Sequence, residues 1–271
     1  MDYYTSFVLY GRYGSGKTTG ACTAPFPIAV IDADMKARNQ SNIQALVKSG
    51  DVDIFPLNYP LVAGNDEDFL FRPDSTNPVP DGYRECLRLI NRIVKQEPKE
   101  YATIVFDSGS RIIQHLIQAT VAANGKTQMT QQLWGVFYTE LANRFTRLST
   151  IPVNFIWIFH ERTVIDEITK QQQVIVSIPG QMGEDIGTFF NEVYNSKVDE
   201  IGGKHYYYYV TKSNAKHNNR TSGTLDLNEQ PNISQIISKL NGTYIALPQP
   251  VNNVTGGGNV VRSANVIRRA S

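Results

Sequence analysis

Cysteine is scarce in this chain, and long apolar runs are missing from it. The 271 residues include two cysteines, Cys22 and Cys86, which lie far apart and lack the spacing of metal ligands. This pattern fits neither a disulfide-rich secreted domain nor a zinc module, and a reducing cytoplasm is the expected setting. No run of eighteen apolar residues occurs, and the opening MDYYTSFVLYG has no basic segment followed by an apolar one. We therefore expect no membrane helix, no secretion signal and no membrane partner.

An excess of either charge is also missing. The formal net charge is +1, which argues against a surface covered with basic residues but allows a local basic groove for nucleic acid. With 41% apolar residues, the chain suits one large α/β domain with a small appendage. We predict a core at residues 1–220 and a short extension with a flexible tail at 221–271. In that extension, NISQIISKLNG is compatible with a short helix, and 248–271 is Gly-, Asn- and Pro-rich without an acidic residue.

The sequence GRYGSGKT at residues 11–18 fits the phosphate-loop pattern G-x-x-x-x-G-K-[ST]. It follows a short apolar strand, SFVLY, and its glycines let backbone N–H groups turn toward phosphate oxygens. Lys17 supplies a positive charge for the β- and γ-phosphates, and the Thr18 hydroxyl is suited to Mg²⁺. The pattern therefore predicts a site for ATP and Mg²⁺. The residues predicted to contact the nucleotide are Gly11, Arg12, Tyr13, Gly14, Ser15, Gly16, Lys17, Thr18 and Thr19.

Carboxylates follow two further apolar strands. Residues 102–106 form a near-continuous apolar run that ends at Asp107, where the active sites of open α/β sheets lie. We assign Asp107 to the magnesium shell together with Thr18, and Asp107 could also cap the helix that follows. Asp32 and Asp34 follow an earlier apolar run, and alternation along an extended chain directs only one of them at the γ-phosphate. Asp34 is our candidate for orienting or deprotonating the attacking water, the alternative being a loop or capping role.

The order of these motifs resembles the RecA-type ATPase core. VIDAD resembles the RecA segment IDAE, with Asp34 matching the acidic residue that serves hydrolysis, and IVFDS resembles the Walker B strand. VNFIWIFHER resembles the strand that ends in a polar nucleotide sensor, which would be His160. Over about residues 6–215 the compact chain is similar to the short RecA-like ATPases of bacteriophages, AAA-type proteins linked to recombination and single-strand annealing. The resemblance implies an α/β fold with a mostly parallel central sheet, flanking helices and β-hairpins toward the C-terminus.

The resemblance also assigns two DNA-binding loops. The polar segment at residues 122–132 matches the first loop, with Lys126 as the phosphate contact. Two strand-like runs around KQQQ predict a β-hairpin at the position of the second DNA-binding loop. There Arg162 and Lys170 are candidate contacts to DNA phosphates, and such contacts tolerate any base sequence and weaken with salt. This hairpin could equally be a subunit contact. Between the loops, helical spacing predicts the core positions Leu133, Phe137, Leu141 and Phe145.

The late segment GGKHYYYYVTKSNAKHNNR predicts a β-strand followed by a basic cluster. Alternation puts neighbouring tyrosines on opposite faces of a buried or half-buried strand. The cluster Lys212, Lys216 and Arg220 resembles the RecA-type position from which one subunit reaches the nucleotide of its neighbour, and a solvated loop is the alternative. We therefore expect a homo-oligomer with nucleotide between its subunits. The short segment before the first strand favours a ring over a filament.

These features together predict an ATPase, stimulated by DNA, that binds single-stranded DNA in phage recombination within the host cytoplasm. A single-strand-binding protein is a further candidate partner. Two alternatives remain open: a helicase or packaging-type motor, and a nucleotide-gated mediator that loads partners onto DNA with little turnover. A small-molecule kinase is disfavoured because the sequence has no obvious arginine-rich lid for a phosphate acceptor.

Overall fold

The computed structural model describes residues 4–57, 81–95, 100–165, 170–214 and 216–244. Helices cover both faces of a central, mostly parallel sheet. In chain order the strands are β1 Ser6–Gly11, β2 Ile28–Asp32, β3 Val52–Pro56, β4 Thr103–Asp107, β5 Asn154–Ile165, β6 Gln172–Val176, β7 Glu192–Ile201, β8 Lys204–Val210 and β9 Asn228–Glu229. The helices are α1 Lys17–Ala21, α2 Ser41–Ser49, α3 Asp81–Val94, α4 Gly109–Ala123, α5 Gln131–Leu148, α6 Met182–Asp185 and α7 Ile233–Leu240, with 3-10 turns at Ala37–Asn39 and Ile186–Thr188.

Continuous apolar sequence accounts for the central strands. SFVLYG in β1 and TIVFD in β4 are buried at every position, as expected of strands covered by helices on both faces. On one face, α4 and α5 pack against the sheet through Ile112 and Phe137. On the other face, α2 and α7 contribute Ile43 and Ile236. The core positions predicted along α5 are confirmed as buried: Leu133, Phe137, Leu141 and Phe145.

The strand order brings the functional strand ends together. The sheet runs β3-β2-β4-β5-β1-β7-β8-β9, and β6 pairs with the outer part of β5. The strands from β3 through β7 in this order are parallel, whereas β6, β8 and β9 are antiparallel additions. The predicted α/β fold is confirmed, including its hairpins toward the C-terminus. Because β5 separates β1 from β4, Gly11 lies beside His160, and Ile158 lies beside Asp107 at the same edge.

The chain beyond residue 220 continues into the core. Leu225 and Ile233 join the apolar cluster under α1 and α2, and Asn232 caps α7 by accepting the N–H of Gln235 at 3.0 Å. The helix suggested by NISQIISKLNG is therefore confirmed. The predicted boundary at residue 220 stays a prediction, and the predicted tail lies outside the described residues. Among the helices of the described ranges, none is long and apolar enough to cross a membrane.

Candidate nucleotide-binding site

The phosphate loop connects β1 to α1 and is shaped by glycine. Gly14 and Gly16 have φ angles of 75° and 80°, in the left-handed region that other residues rarely adopt. Lys17 begins α1, and its buried ammonium lies inside the loop. It donates to the carbonyls of Gly11 at 2.9 Å and Arg12 at 2.6 Å. The loop is therefore folded around a cation, as a phosphate site requires.

The ammonium of Lys17 is surrounded by neutral hydrogen-bond acceptors of the phosphate loop. Burial lowers the pKa of its ammonium to about 8, and the carboxylates of Asp107 and Glu161 oppose this shift. The group is consequently charged at neutral pH. Its direct hydrogen bonds go to two carbonyls and the Ser15 hydroxyl, so its charge is available to phosphate oxygens.

Thr18 and Asp107 lie side by side at the base of the loop. Thr18 Oγ1 donates to Asp107 Oδ2 at 2.7 Å, and these hard oxygen donors fit Mg²⁺ bound together with a nucleotide. Burial raises the pKa of Asp107 to about 6; the Thr18 hydrogen bond opposes the rise, and the carboxylates of Asp32 and Asp34 add to it. Ser108, not Asp107, caps α4, because its hydroxyl accepts the N–H of Arg111 at 3.3 Å. The capping role considered for Asp107 is therefore wrong.

Asp32 and Asp34 have different surroundings. Asp32 is fully buried and accepts the backbone N–H groups of Lys36 at 3.1 Å and Ala37 at 2.9 Å, which closes the turn after β2. Burial raises the pKa of Asp32, and these hydrogen bonds oppose the rise. Asp34 is half-buried and lines the cavity over the phosphate loop. This geometry agrees with the choice of Asp34 as the water-activating group, which stays a prediction.

A cavity of about 600 Å³ opens over the phosphate loop. Besides the loop residues, its lining includes Asp34, Asp107, His160, Tyr207 and Pro231. The size and the mixture of polar and apolar groups suit a nucleoside triphosphate, whose phosphates need the loop and whose base needs an apolar wall. Tyr207 was predicted only as part of a strand. The sequence could not predict that Tyr207 reaches the phosphate loop, because this contact depends on the packing of β8 against α1.

His160 ends the buried part of β5 and contacts the phosphate loop. Its ring packs against the exposed ring of Tyr13, with centroids 4.3 Å apart, and its backbone N–H donates to Ser110 Oγ at 3.2 Å. Burial lowers the pKa of His160, Lys17 lowers it further and Asp34 opposes the shift, so the site favours the neutral imidazole. Nδ1 is buried and has no hydrogen-bond partner among the described residues. A neutral imidazole beside the loop can respond to a γ-phosphate, and the sensor role stays a prediction.

The three residues predicted to contact DNA lie outside this cavity. Lys126 is exposed in the turn after α4, and Lys170 is exposed two residues before β6 with a φ of 57°. Arg162 lies on β5 and donates from Nη2 to the Gly180 carbonyl at 2.8 Å, which ties β5 to the segment after β6. The predicted hairpin is present, although its turn residues 166–169 lie outside the described ranges. Part of the hydrogen-bonding capacity of Arg162 therefore serves the fold.

The basic cluster predicted to act on a neighbouring subunit is exposed and does not line the cavity of its own chain. The Lys216 carbonyl accepts the N–H of Val174 at 2.7 Å, so the segment packs on β6. Arg220 pairs through its backbone with Val193, and its guanidinium donates to the Gly187 carbonyl. Lys212 is exposed between β8 and this segment. A role in trans stays a prediction, and the placement leaves the two lysines accessible to another subunit.

Glu161 is a residue of the site that the sequence analysis missed. Its side chain is 10% exposed and accepts from Arg12 Nε at 3.1 Å, Asn195 Nδ2 at 3.0 Å and Lys197 Nζ at 3.3 Å. These contacts join the phosphate loop, β5 and β7, and they hold the pKa of Glu161 below its usual range although burial opposes this. The signal in the sequence was a carboxylate directly after the predicted sensor His160.

The sequence model of a family described as AAA domain matches residues 4–221. Among solved structures, the flagellar accessory protein FlaH from Methanocaldococcus jannaschii has 12% identity, a TM-score of 0.41 and 83% coverage of each chain. A KaiC-like protein from Pyrococcus horikoshii has 16% identity, a TM-score of 0.41, and coverage of 80% of this chain and 82% of the other. The search of curated proteins found no match.

Proposed function

Because the chain belongs to the AAA domain family, we propose that it binds and hydrolyses ATP with Mg²⁺ and engages single-stranded DNA in phage-type recombination or annealing. The observation that carries the ATPase part is the arrangement of Lys17 inside the phosphate loop beside the hydrogen-bonded pair Thr18 and Asp107. Phosphoryl transfer needs a cation for the phosphate oxygens and oxygen ligands for Mg²⁺, and the Lys17 ammonium and the oxygens of Thr18 and Asp107 provide both. The compartment proposed for this activity is the cytoplasm of the host.

Each residue has a distinct part in the proposed reaction. Lys17 binds the β- and γ-phosphate oxygens. Thr18 and Asp107 would hold Mg²⁺, which would supply positive charge against the charge on the phosphates. Asp34 orients a water whose oxygen bonds to the γ-phosphorus as the bond to the β–γ bridging oxygen breaks. The water proton passes to Asp34 and then to solvent, and ADP retains the bridging oxygen. His160 contacts the γ-phosphate and changes its environment when that group leaves.

The DNA part of the proposal is supported by two exposed lysines outside the nucleotide cavity. Lys126 follows α4, and Lys170 belongs to the hairpin that continues from His160 along β5. Lysine contacts to phosphate would bind any base sequence and weaken with salt. A single-strand-binding protein is a further proposed partner at the DNA.

The test is the rate of ATP hydrolysis by the purified chain with and without single-stranded DNA. We expect magnesium-dependent turnover that rises with single-stranded DNA, with stimulation that falls steeply as salt is added. Lys17→Ala should abolish turnover and strongly weaken nucleotide binding, because the loop then lacks its cation. Lys48→Ala, which removes an exposed lysine from α2, is the matched control and should behave as the unmodified chain.

Other outcomes separate the alternatives. Normal turnover in Lys17→Ala would disprove the phosphate-loop assignment. Intact ATP affinity with no turnover would indicate a nucleotide-gated mediator. Strand separation or movement along duplex DNA by the purified protein would indicate a helicase or packaging-type motor.

A further inference from the structure

A second cavity, of about 380 Å³, opens beside the nucleotide cavity. It lies between the segment after β2 and the first turn of α4, where Met35, Ser110 and Arg111 line it. Met35, Ser110 and Arg111 have no assigned part in ATP binding or hydrolysis. The residues that line both cavities are Tyr13, Asp34, Lys36, Ser108 and His160.

Two cations line the second cavity, Lys36 and Arg111. Within the described ranges neither has a carboxylate at ion-pair distance, and Arg111 donates from Nη1 to the neutral Gln114 Oε1 at 3.2 Å. Asp34 is the acidic residue of the described lining, and it lies where the two cavities meet. His160 adds a neutral imidazole. Two cations facing one carboxylate leave this lining with an excess of positive charge, and positive charge together with neutral hydrogen-bonding groups is the chemistry that binds a small oxyanion.

The geometry of phosphoryl transfer moves the γ-phosphoryl group toward the second cavity. In phosphoryl transfer the attacking water and the leaving oxygen lie roughly in line on opposite sides of the phosphorus. ADP stays in the loop at Lys17, so the transferred group moves away from the loop toward the water. The water-activating candidate Asp34 and the sensor candidate His160 lie on that side and line both cavities. The phosphate therefore forms at the opening of the second cavity.

We propose that the second cavity binds inorganic phosphate after hydrolysis, with Arg111 and Lys36 as its cationic contacts. The inference rests on the proposed ATPase function and adds a product site to it. Hydrolysis yields ADP, inorganic phosphate and a proton. The phosphate carries the oxygen of the water, and it leaves through the second cavity while ADP remains on the loop. Phosphate and ADP accordingly occupy different sites and can be bound at the same time.

The test is equilibrium dialysis of radiolabelled inorganic phosphate against the full chain in saturating Mg–ADP, which fills the phosphate loop. We expect one phosphate per chain in the unmodified protein. Arg111→Gln should bind phosphate roughly tenfold more weakly, the effect of losing one charge-assisted hydrogen bond, with ADP affinity unchanged. Arg111→Lys should restore most of the affinity. Arg38→Gln removes a cation two residues after Lys36 that does not line the second cavity, and it is the matched control.

Arg111 is exposed, so its replacement should leave the fold intact, and the circular dichroism spectrum and thermal midpoint of each variant check this. Equal phosphate affinity in the unmodified protein and Arg111→Gln would overturn the proposal, and so would a loss in Arg38→Gln that equals the loss in Arg111→Gln. Turnover of ATP without phosphate binding would overturn the phosphate site alone. Arg111-dependent phosphate binding without ATP turnover would instead disprove the ATPase function and leave the anion site standing.

Discussion

Asp32 and Asp34 are neighbours in the sequence with different surroundings, and substitution should separate them. Asp34→Asn should lower kcat by about 10²–10⁴-fold with little change in Mg–ATP affinity, because an amide cannot take a proton from water. Asp32→Asn should instead destabilise the fold by about 1–3 kcal/mol, because the amide has one acceptor oxygen for the two backbone N–H groups that the carboxylate accepts. Steady-state kinetics and thermal unfolding measure the two effects. Normal hydrolysis by Asp34→Asn together with inactive, stably folded Asp32→Asn would reverse the assignment.

The lowered pKa of Lys17 predicts a pH dependence of nucleotide binding. The ammonium has a pKa of about 8 in the nucleotide-free chain and loses its charge as the pH rises above that value. Bound phosphates favour the charged form, so ADP affinity should fall by up to about tenfold per pH unit above pH 8. Titration calorimetry between pH 7 and about pH 9.5 measures this. Lys17→Arg, which stays charged over that range, is the control. An equal decline in that variant would assign the titration to another group.

The packing of β8 on α1 predicts an effect at the level of secondary structure. A Cβ on Gly20 would lie 1.9 Å from the hydroxyl oxygen of the fully buried Tyr209. Gly20→Ala should therefore cost about 1–3 kcal/mol of unfolding free energy and weaken ATP binding, because α1 follows the phosphate loop directly. Gly135→Ala in α5 is the matched control, since a Cβ there meets open space and should gain about 0.5–1 kcal/mol. Denaturant unfolding measures both.

The Tyr209 hydroxyl gives this prediction a further check. It is buried without a hydrogen-bond partner among the described residues, so Tyr209→Phe should change stability by less than about 1 kcal/mol. The same substitution should relieve part of the cost of Gly20→Ala. No relief in the double variant would show that the clash lies elsewhere.

The sequence predicts those strands and helices whose pattern lies within one short segment of the chain. The run 102–106 had to be a central strand, because a strand covered on both faces must be apolar throughout. The contacts of Glu161 could not be predicted in this way. They join Arg12 to Lys197 across three strands, so they depend on β1 lying between β5 and β7, which no short segment encodes. The second cavity, likewise, exists only because the end of β2 lies beside the start of α4.

Assembly of whole chains can be tested by mixing inactive variants. If Lys216 serves the nucleotide of a neighbour, Lys17→Ala protein retains the donor and Lys216→Ala protein retains the pocket. In random mixed assemblies about a quarter of interfaces then combine an intact pocket with an intact donor, so roughly a quarter of the activity should return. Light scattering establishes that mixed assemblies form. Mixed assemblies without any recovery would place Lys216 outside the active site.

The length of β5 has a mechanical consequence. The strand has twelve residues, buried in the sheet up to Phe159 and continuing past His160 as one arm of the hairpin with β6. At about 3.3 Å per residue, the part from His160 to Ile165 is a lever roughly 16 Å long whose pivot lies beside the phosphate loop. A tilt of about 5° at the pivot displaces the far end by roughly 1.4 Å. A displacement of His160 would therefore be carried along the strand to the hairpin with β6 and would be larger at its far end.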